Sequence, residues 1–219
     1  MTDRTYARIA GAAYIVIIIV ALVSVAPVES KLIVAGDDTA TAGNISGHDL
    51  LFRLSIIGTI TIYVSVVILS WALYVILKPV NKNLALLALL LRSAEAIVGA
   101  ATALISFVVL LLVQGNGDPE QLHALVGVFL NVRTAGLDVV LIFIGIGGTL
   151  FCYLFFASRY VPRALAAWGM FTYASMFLLA VVSILVPDHP VMLENVLYGV
   201  GSAFELAIGL WLLIKGVTP

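Results

Sequence analysis

Three charged side chains, Arg92, Glu95 and Glu205, interrupt long apolar stretches of the 219-residue sequence. A charge held away from water is costly, so such residues in a membrane usually pair with one another and mark a binding site or an ion path. One arginine can neutralise only one of the two glutamates. The other acid is therefore either protonated or able to bind a cation. We therefore predict an ion pair between Arg92 and Glu205 in a buried site that binds a ligand or takes up protons.

Three histidines raise the alternative of a metal site. Together with a carboxylate, His48, His123 and His189 are the kind of ligand set that holds a catalytic zinc in hydrolases. None of them lies inside a predicted membrane span, and none has a partner histidine three or four residues away. This pattern favours solvated loop histidines, and a metal-dependent hydrolase at the outer leaflet is the alternative function.

Other catalytic motifs are absent from the sequence. It contains no H-E-x-x-H, no serine nucleophile elbow and no C-x-x-C. The glycine-rich run GIGGT at 145–149 falls inside a predicted span, where glycines usually serve helix packing. Cys152 lies in an apolar stretch, where an activated thiol is not expected. The sequence therefore favours a non-enzymatic role without deciding it, and it identifies no cofactor.

The composition shows which elements must position these residues. Hydrophobic residues make up 63% of the chain and charged residues 11%, and the mean hydropathy is +1.17. A soluble chain of this length could not cover so much apolar surface, so the sequence predicts an integral membrane protein. The net charge of −1 excludes the basic footprint that a nucleic-acid-binding protein needs.

Six apolar stretches are each long enough to cross a hydrocarbon core of about 30 Å as a helix. We predict an all-α, polytopic six-helix bundle that forms a single transmembrane domain over residues 1–219. The first stretch is expected to be a retained helix rather than a signal peptide, because its apolar run is long and Pro27 follows the plausible cleavage point. The predicted spans are approximately 9–27, 50–77, 84–113, 137–157, 164–186 and 191–214.

The distribution of basic residues predicts the orientation. If six helices alternate in direction, nearly all exposed lysines and arginines fall on one side of the membrane, and positive residues remain cytoplasmic. Both termini are therefore expected in the cytoplasm, in a multi-pass protein of the cell membrane. The residues on this side are Arg4, Arg8, Lys78, Lys82, Arg159, Arg163 and Lys215.

Two segments on the predicted outer face are longer than turns. Residues 28–49 contain a small-residue stretch that Asp37 or Asp38 could cap as a short helix. Residues 119–134 carry an apolar helical face, and an unbroken helix into the fourth span would be about 60 Å long. We therefore expect a bend near Gly136 and two short helical covers over the outer end of the bundle.

Polar and small residues form stripes that indicate which faces point inward. On the third span Arg92, Glu95 and Gly99 begin one such stripe, which continues through Thr102 and Ser106. A polar stripe that faced lipid would be unsatisfied, so we expect these faces to meet in the interior. The second span carries a similar stripe, Thr59, Tyr63, Ser70 and Tyr74.

The sixth span and the outer boundary supply the remaining candidates. Glu205 is spaced by four residues from Gly201 and from Gly209, and these glycines admit a close neighbouring backbone. Asp138 and Arg53 lie nearer the outer boundary and are expected to line an approach beneath the two covers. The predicted ligand-binding residues are Arg92, Glu95, Glu205, Asp138 and Arg53.

Four segments, in this order along the chain, resemble a prokaryotic six-helix membrane family that is known only as a domain of unknown function. They are AGDDTATAGNIS with the following LLFRL, LYVILKPVNKNLALLALLLR, YLFFASRYVPRALAAWG and FELAIGLWLLIKG. The resemblance extends to Gly216 and implies a compact integral membrane protein with six spans. It implies no substrate or cofactor, and it suggests Asp37, Asn44, Arg53 and Glu205 as candidate residues.

Three functional hypotheses follow. The first is binding or transport of an ion or small amphiphile at the buried site, with the lipid bilayer as surroundings and a lipid as one candidate ligand. The second is the outer-leaflet metal-dependent hydrolase. The third is a non-catalytic partner or scaffold subunit in which the buried charges only orient helices, and it leaves an oligomer or a partner chain open.

Overall fold

The computed structural model of the protein describes residues 3–186 and 191–217. Over these residues the chain forms seven helices and no strand, which confirms the all-α prediction. The connections are short, and consecutive long helices run in opposite directions along the bundle. The helices are α1 (Asp3–Lys31), α2 (Asp38–Gly47), α3 (Asp49–Leu77), α4 (Lys82–Val113), α5 (Pro119–Ser158), α6 (Arg163–Leu185) and α7 (Val191–Ile214).

Within the described ranges, six helices are long and apolar enough to cross a membrane. They are α1, α3, α4, α5, α6 and residues Glu194–Ile214 of α7. Large apolar side chains such as Ile97, Leu104 and Phe171 lie exposed on the outside of the bundle, as expected for a surface in contact with lipid. The protein is therefore a multi-pass membrane protein with six candidate spans.

A single turn of π-helix interrupts α1 at Ala21–Val25. Its cause is Pro27, which has no N–H to donate and whose ring would clash with the carbonyl of Val23 in a regular α-helix. The backbone N–H of Ala26 donates instead to the carbonyl of Ala21, five residues back. The wide turn brings Ser24 against Gly58 of α3, where a Cβ atom would collide with the serine hydroxyl.

The helix α5 is continuous over 40 residues, which corresponds to about 60 Å. Asp118 caps its first turn, and Pro119 occupies the first helical position. No break in the helix occurs near Gly136, and the bend predicted there stays a prediction. Val126 and Leu130 on the first part of α5 are buried in one apolar cluster with Ala42 and Ile45 of α2.

The two ends of the bundle are distinct. At the end that carries both termini, here called the terminal end, the backbone of Gly216 lies against Arg4, and Val217 packs in the same cluster as Ala7. At the other end, called the distal end, Gln114 donates a hydrogen bond to Asp49 at 3.0 Å. Which end faces the cytoplasm stays a prediction.

The described part of the chain contains two large apolar clusters, one at each end. The terminal apolar cluster includes Tyr14, Ala88 and Phe155, and the distal apolar cluster includes Leu32 and Ala103. On α4 the first ends at Ala88 and the second begins at Ala103. Arg92, Glu95 and Thr102 of α4 lie between these limits, so a polar layer separates the two apolar clusters along this helix.

Candidate functional site

The centre of the polar layer is an ion pair within α4. Nη1 of Arg92 lies 2.7 Å from Oε2 of Glu95, and the two residues are only 3% and 2% exposed. They are three positions apart, so their side chains leave the same face of the helix. The two atoms are in charge contact, but neither is aligned for a hydrogen bond with any group among the described residues. Two fully buried charged atoms therefore retain unused hydrogen-bonding capacity.

Glu205 does not join this ion pair, so the predicted Arg92–Glu205 pair is wrong. Its Oε1 accepts a hydrogen bond of 2.9 Å from the hydroxyl of Tyr173. The guanidinium carbon of Arg92 lies 6.0 Å from the centre of the Tyr173 ring. Glu95 is one turn away on the same helix and reaches the guanidinium first, while a tyrosine ring lies between the arginine and α7.

The hydrogen bond to Glu205 belongs to a short chain of hydroxyl groups. The hydroxyl oxygens of Tyr14 and Tyr173 are 3.4 Å apart. Since the single hydroxyl proton of Tyr173 is donated to Glu205, Tyr14 must be the donor to Tyr173. Residues on α1, α6 and α7 thus share one polar network, and the term polar layer is used below for Tyr14, Tyr63, Arg92, Glu95, Tyr173 and Glu205.

Glycines on α5 make room for the central side chains. A Cβ atom on Gly147 would lie 3.1 Å from Cγ of Arg92, and a Cβ atom on Gly148 would overlap the Tyr173 ring. The predicted packing role of the GIGGT run is therefore confirmed at these two positions. A larger residue at either position would displace the arginine stem or the tyrosine.

A second pair of glycines sets the position of α7. A Cβ atom on Gly11 of α1 would lie 2.6 Å from the carbonyl oxygen of Gly209, and one on Gly209 would lie 2.9 Å from Cβ of Tyr14. The two backbones are in direct contact, as the spacing around Glu205 predicted. This contact holds Tyr14 and the partly buried Glu205 in the same layer.

Tyr63 of α3 closes the polar layer toward the distal end. Its ring occupies the space that a side chain on Gly99 would need, four residues from Glu95 on α4. Its hydroxyl is close enough to interact electrostatically with both Arg92 and Glu95. The tyrosine therefore lies between the ion pair and the distal half of the bundle.

Beyond Tyr63 lies a cavity of about 90 Å³, called the distal cavity. At its rim Arg133 of α5 donates a hydrogen bond to Glu29 of α1, which joins the two helices. The predicted inward stripes of α3 and α4 meet here. The residues that line the cavity are Val25, Glu29, Thr59, Ile62, Tyr63, Thr102, Ser106, Arg133 and Leu137.

Sequence reasoning missed Glu29 and Arg133 as members of the interior. A signal for Arg133 existed, because it continues the face of Val126 and Leu130, at intervals of seven and three residues. Glu29, which lies at the rim with a side chain that is 47% exposed, carried no comparable signal. Leu137, one turn further along α5, also lines the cavity.

The two outer candidates are not part of the central ion pair. Arg53 is exposed and pairs with Asp49 one turn earlier on α3, at 2.7 Å. Asp138 is partly buried on α5, beside Leu137, and interacts electrostatically with Tyr198 of α7. Neither lines the distal cavity, and a role in ligand binding stays a prediction for both.

The structure describes two of the three histidines. The ring Nδ1 of His48 lies 3.0 Å from the carbonyl oxygen of Asn44, and His123 is partly buried on α5. His189 lies outside the described residues. Among the residues that are described, no group of three His, Cys, Asp or Glu side chains is arranged to hold a metal ion. The three-histidine site stays an untested alternative.

Two residues suggested by the family resemblance have local contacts near α2. The Asp37 carboxylate caps this helix by accepting from the N–H of Ala40 at 2.8 Å. The Asn44 side-chain amide donates to the carbonyl of Leu32 at 3.3 Å. These contacts fasten the chain at the distal end of the bundle.

Comparison with known proteins identifies the family of the chain but no activity. The sequence profile of one family, described as "Domain of unknown function (DUF4386)", matches residues 9–216. No curated protein and no solved structure matches the chain.

Proposed function

Because the chain belongs to the DUF4386 family, which carries no defined activity, we propose a function from the geometry of the polar layer: the protein binds a small ion there, and Glu205 is the carboxylate that exchanges a proton. One observation carries this proposal. Arg92 is in contact with Glu95, whereas the hydrogen-bond donor to Glu205 among the described residues is the neutral hydroxyl of Tyr173. The layer thus holds one acid more than its base can neutralise.

The position of the ion pair argues against a purely structural role. Both partners of the Arg92–Glu95 pair belong to α4, so their attraction cannot hold two helices together. Burying both charges costs desolvation energy, and their mutual attraction only partly offsets it. An ion pair that fastened helices together would place its two charges on different helices.

The surroundings of Glu205 fit a proton better than a metal cation. The groups that interact with it electrostatically are Arg92 and Glu95 from α4, Tyr173 from α6, Tyr14 from α1 and Cys152 from α5. An arginine and two phenols do not form an oxygen cage of the kind that hard cations require. A proton needs only one acceptor oxygen, and the hydroxyl chain provides neighbours to share it.

An anionic amphiphile is the weaker variant of this proposal. Its headgroup would need Arg92, and Glu95 already occupies that guanidinium at 2.7 Å. For the orientation, we propose that the terminal end faces the cytoplasm and the distal end faces outward, in the cell membrane. The concentration of basic residues toward the terminal end supports this direction.

The proposal is tested by infrared difference spectroscopy of the purified protein during a pH titration. A carboxylic acid that gains or loses a proton in a dry site shows a carbonyl band distinct from that of solvated acids. We expect this band in the wild type and its loss in Glu205→Gln. Glu120→Gln, which changes an exposed carboxyl at the start of α5, is the matched control and should keep the band.

Two results would overturn the assignment. A band that survives in Glu205→Gln and disappears in Glu95→Gln would move the proton to the other acid. A wild-type protein without any titrating band would remove the proton-binding site. Helix content and elution volume of each variant are measured in parallel, so that misfolding is not read as loss of the site.

A further inference from the structure

The distal cavity is lined in part by polar and charged side chains, and the proposed proton exchange leaves it without a role. Arg133 has a buried Nε–H with no acceptor among the described residues. Thr102 and Ser106 are both more than nine-tenths buried and line the cavity from α4. Buried polar groups normally have hydrogen-bond partners, so the Nε–H of Arg133 needs an acceptor in the cavity.

Three of the hydroxyl groups that line the cavity, those of Thr59, Thr102 and Ser106, have already donated their protons. Thr59 donates to the carbonyl of Ser55 at 2.9 Å, and Ser106 donates to that of Thr102 at 3.2 Å. Thr102 itself donates to the carbonyl of Gly99 at 2.6 Å. What remains on each hydroxyl oxygen is acceptor capacity. The cavity is therefore rich in acceptors and suits a ligand that donates hydrogen bonds.

Water satisfies both kinds of unused group. It can donate to the hydroxyl oxygens and accept from Nε–H of Arg133. The cavity volume of about 90 Å³ exceeds the roughly 10–15 Å³ that one water molecule needs, so the cavity has room for water. At the rim the side chain of Glu29 is 47% exposed and that of Arg133 is 13% exposed, so the Glu29 side of the rim meets the surroundings.

The opposite side of the cavity ends at the ring of Tyr63. This ring lines the cavity and also covers Gly99, one turn of α4 away from Glu95. If the ring were removed, the space next to Gly99 would extend the cavity along α4 toward the Arg92–Glu95 pair. One aromatic side chain thus separates an acceptor-rich void from the buried charges.

We propose that the distal cavity is a hydrated entry site for a hydrogen-bond-donating cation, the hydrated proton in the first place, and that the Tyr63 ring is its inner barrier. This inference rests on the proposed function, because it assigns a route to the proton that Glu205 exchanges. It adds the side of access, which is the distal end. It also adds the ligand class. The Thr59, Thr102 and Ser106 hydroxyls can only accept, and the charge of Arg133 is paired with Glu29, so the lining disfavours an anion.

Cysteine accessibility tests this inference. Thr102→Cys and Ser106→Cys place thiols in the cavity, and Thr59→Cys provides a third probe from another helix. The reagent is Ag⁺ in a chloride-free buffer, a small cation that does not cross a sealed bilayer readily, added on the side that the distal end faces. Free thiol is then counted by mass spectrometry, and native Cys152, which is 2% exposed in the bundle, serves as the internal baseline.

Two control positions on α4 lie at the same depth. Leu104→Cys is on the exposed outer face, and Ala103→Cys is buried in the distal apolar cluster. We expect Ag⁺ to consume the cavity thiols and to leave both controls at the Cys152 baseline. Cavity thiols that react no faster than Ala103→Cys would overturn the hydrated cavity, and a reaction only from the opposite side would overturn the assigned access.

The barrier has its own test. Ala96→Cys lies one turn beyond Gly99, on the other side of the Tyr63 ring, and is buried in the wild type. We expect this thiol to be unreactive with Tyr63 present and reactive in the double variant with Tyr63→Ala, whereas Tyr63→Phe should keep it protected. Equal reactivity in all three would show that the ring is not the barrier.

The infrared experiment separates this inference from the proposed function. A dry cavity in a protein that keeps the Glu205 carbonyl band would remove the route and leave the proton site. A hydrated cavity in a protein without that band would remove the proton site and leave the cavity.

Discussion

Two regions of the bundle bury charge in different ways. In the polar layer Arg92 and Glu95 belong to one helix, and both are almost completely buried. At the rim of the distal cavity Arg133 on α5 pairs with Glu29 on α1, and Glu29 is about half exposed. The first pair lies within one helix and therefore joins no two elements, whereas the second pair joins two helices.

This difference indicates what each pair is for. A partly solvated pair between helices loses little desolvation energy and restrains the distal end of α5, so its role is explained by packing. A fully buried pair within one helix adds cost without joining elements, so packing does not explain it. The polar layer is therefore the better candidate for function, and three measurements can break or sharpen that comparison.

The largest effect is expected from Glu95→Leu, which leaves the Arg92 guanidinium buried without its contact. Breaking a buried pair typically costs about 3–5 kcal/mol in the free energy of unfolding. The double variant Arg92→Met with Glu95→Leu should recover most of this loss, because an apolar replacement of a whole pair is tolerated. Unfolding in mixed detergent micelles measures both variants.

This recovery also tests the intrahelical nature of the pair. If the double variant is as unstable as Glu95→Leu, the two charges are stabilised by partners other than each other. The comparison with the rim pair would then lose its basis, since the buried pair would hold elements together as well.

An intermediate effect is expected from adding a methyl group beside the two tyrosines. Gly148→Ala pushes against Tyr173, which is enclosed on all sides, and should cost roughly 1–3 kcal/mol. Gly99→Ala pushes against Tyr63, whose ring can move into the distal cavity, and should cost less. Both variants gain about 1 kcal/mol because alanine has a higher helix propensity than glycine. The difference between their losses of stability therefore reports the packing around each tyrosine.

The same unfolding assay ranks these two variants. Equal losses would mean that the cavity does not accommodate the Tyr63 ring. Gly43→Ala is the matched control, because a Cβ atom at Gly43 would meet nothing within 4 Å, and it should not destabilise the protein.

The smallest effect is expected from Glu29→Gln at the rim. An exposed pair contributes at most about 1 kcal/mol, and salt screens it. The stability difference between the wild type and Glu29→Gln should therefore shrink as ionic strength rises. The stability difference between the wild type and Glu95→Leu should be nearly independent of salt. Thermal unfolding at low and high salt measures both differences, and a strong salt effect on the buried pair would contradict its isolation from solvent.

Much of the interior could be predicted from residue type and spacing. The stripe of α4 placed Arg92, Glu95, Thr102 and Ser106 inward, and the structure buries all four. Thr59 and Tyr63 were likewise predicted to face the interior, and both line the distal cavity. Such predictions succeed because the period of the helix decides which residues share a face.

Other features lay beyond the sequence. The cluster that buries Val126 and Leu130 of α5 includes Ala42 and Ile45 of α2, which are distant in sequence. The π-turn of α1 is a response to Pro27 within a particular packing against Gly58. The position of Arg133 could have been predicted from the helical face it shares with Val126 and Leu130. Its pairing with Glu29 could not.

The sequence by itself determined the membrane class, the six candidate spans and the charges that lie among apolar residues, because hydrophobic length and helical period are local properties. Only the tertiary structure decided that Arg92 contacts Glu95 while Tyr173 binds Glu205. That choice depends on which side chains can reach one another, and it is made by close contacts at Gly147 and Gly148, where α5 leaves room for the arginine and for the tyrosine ring.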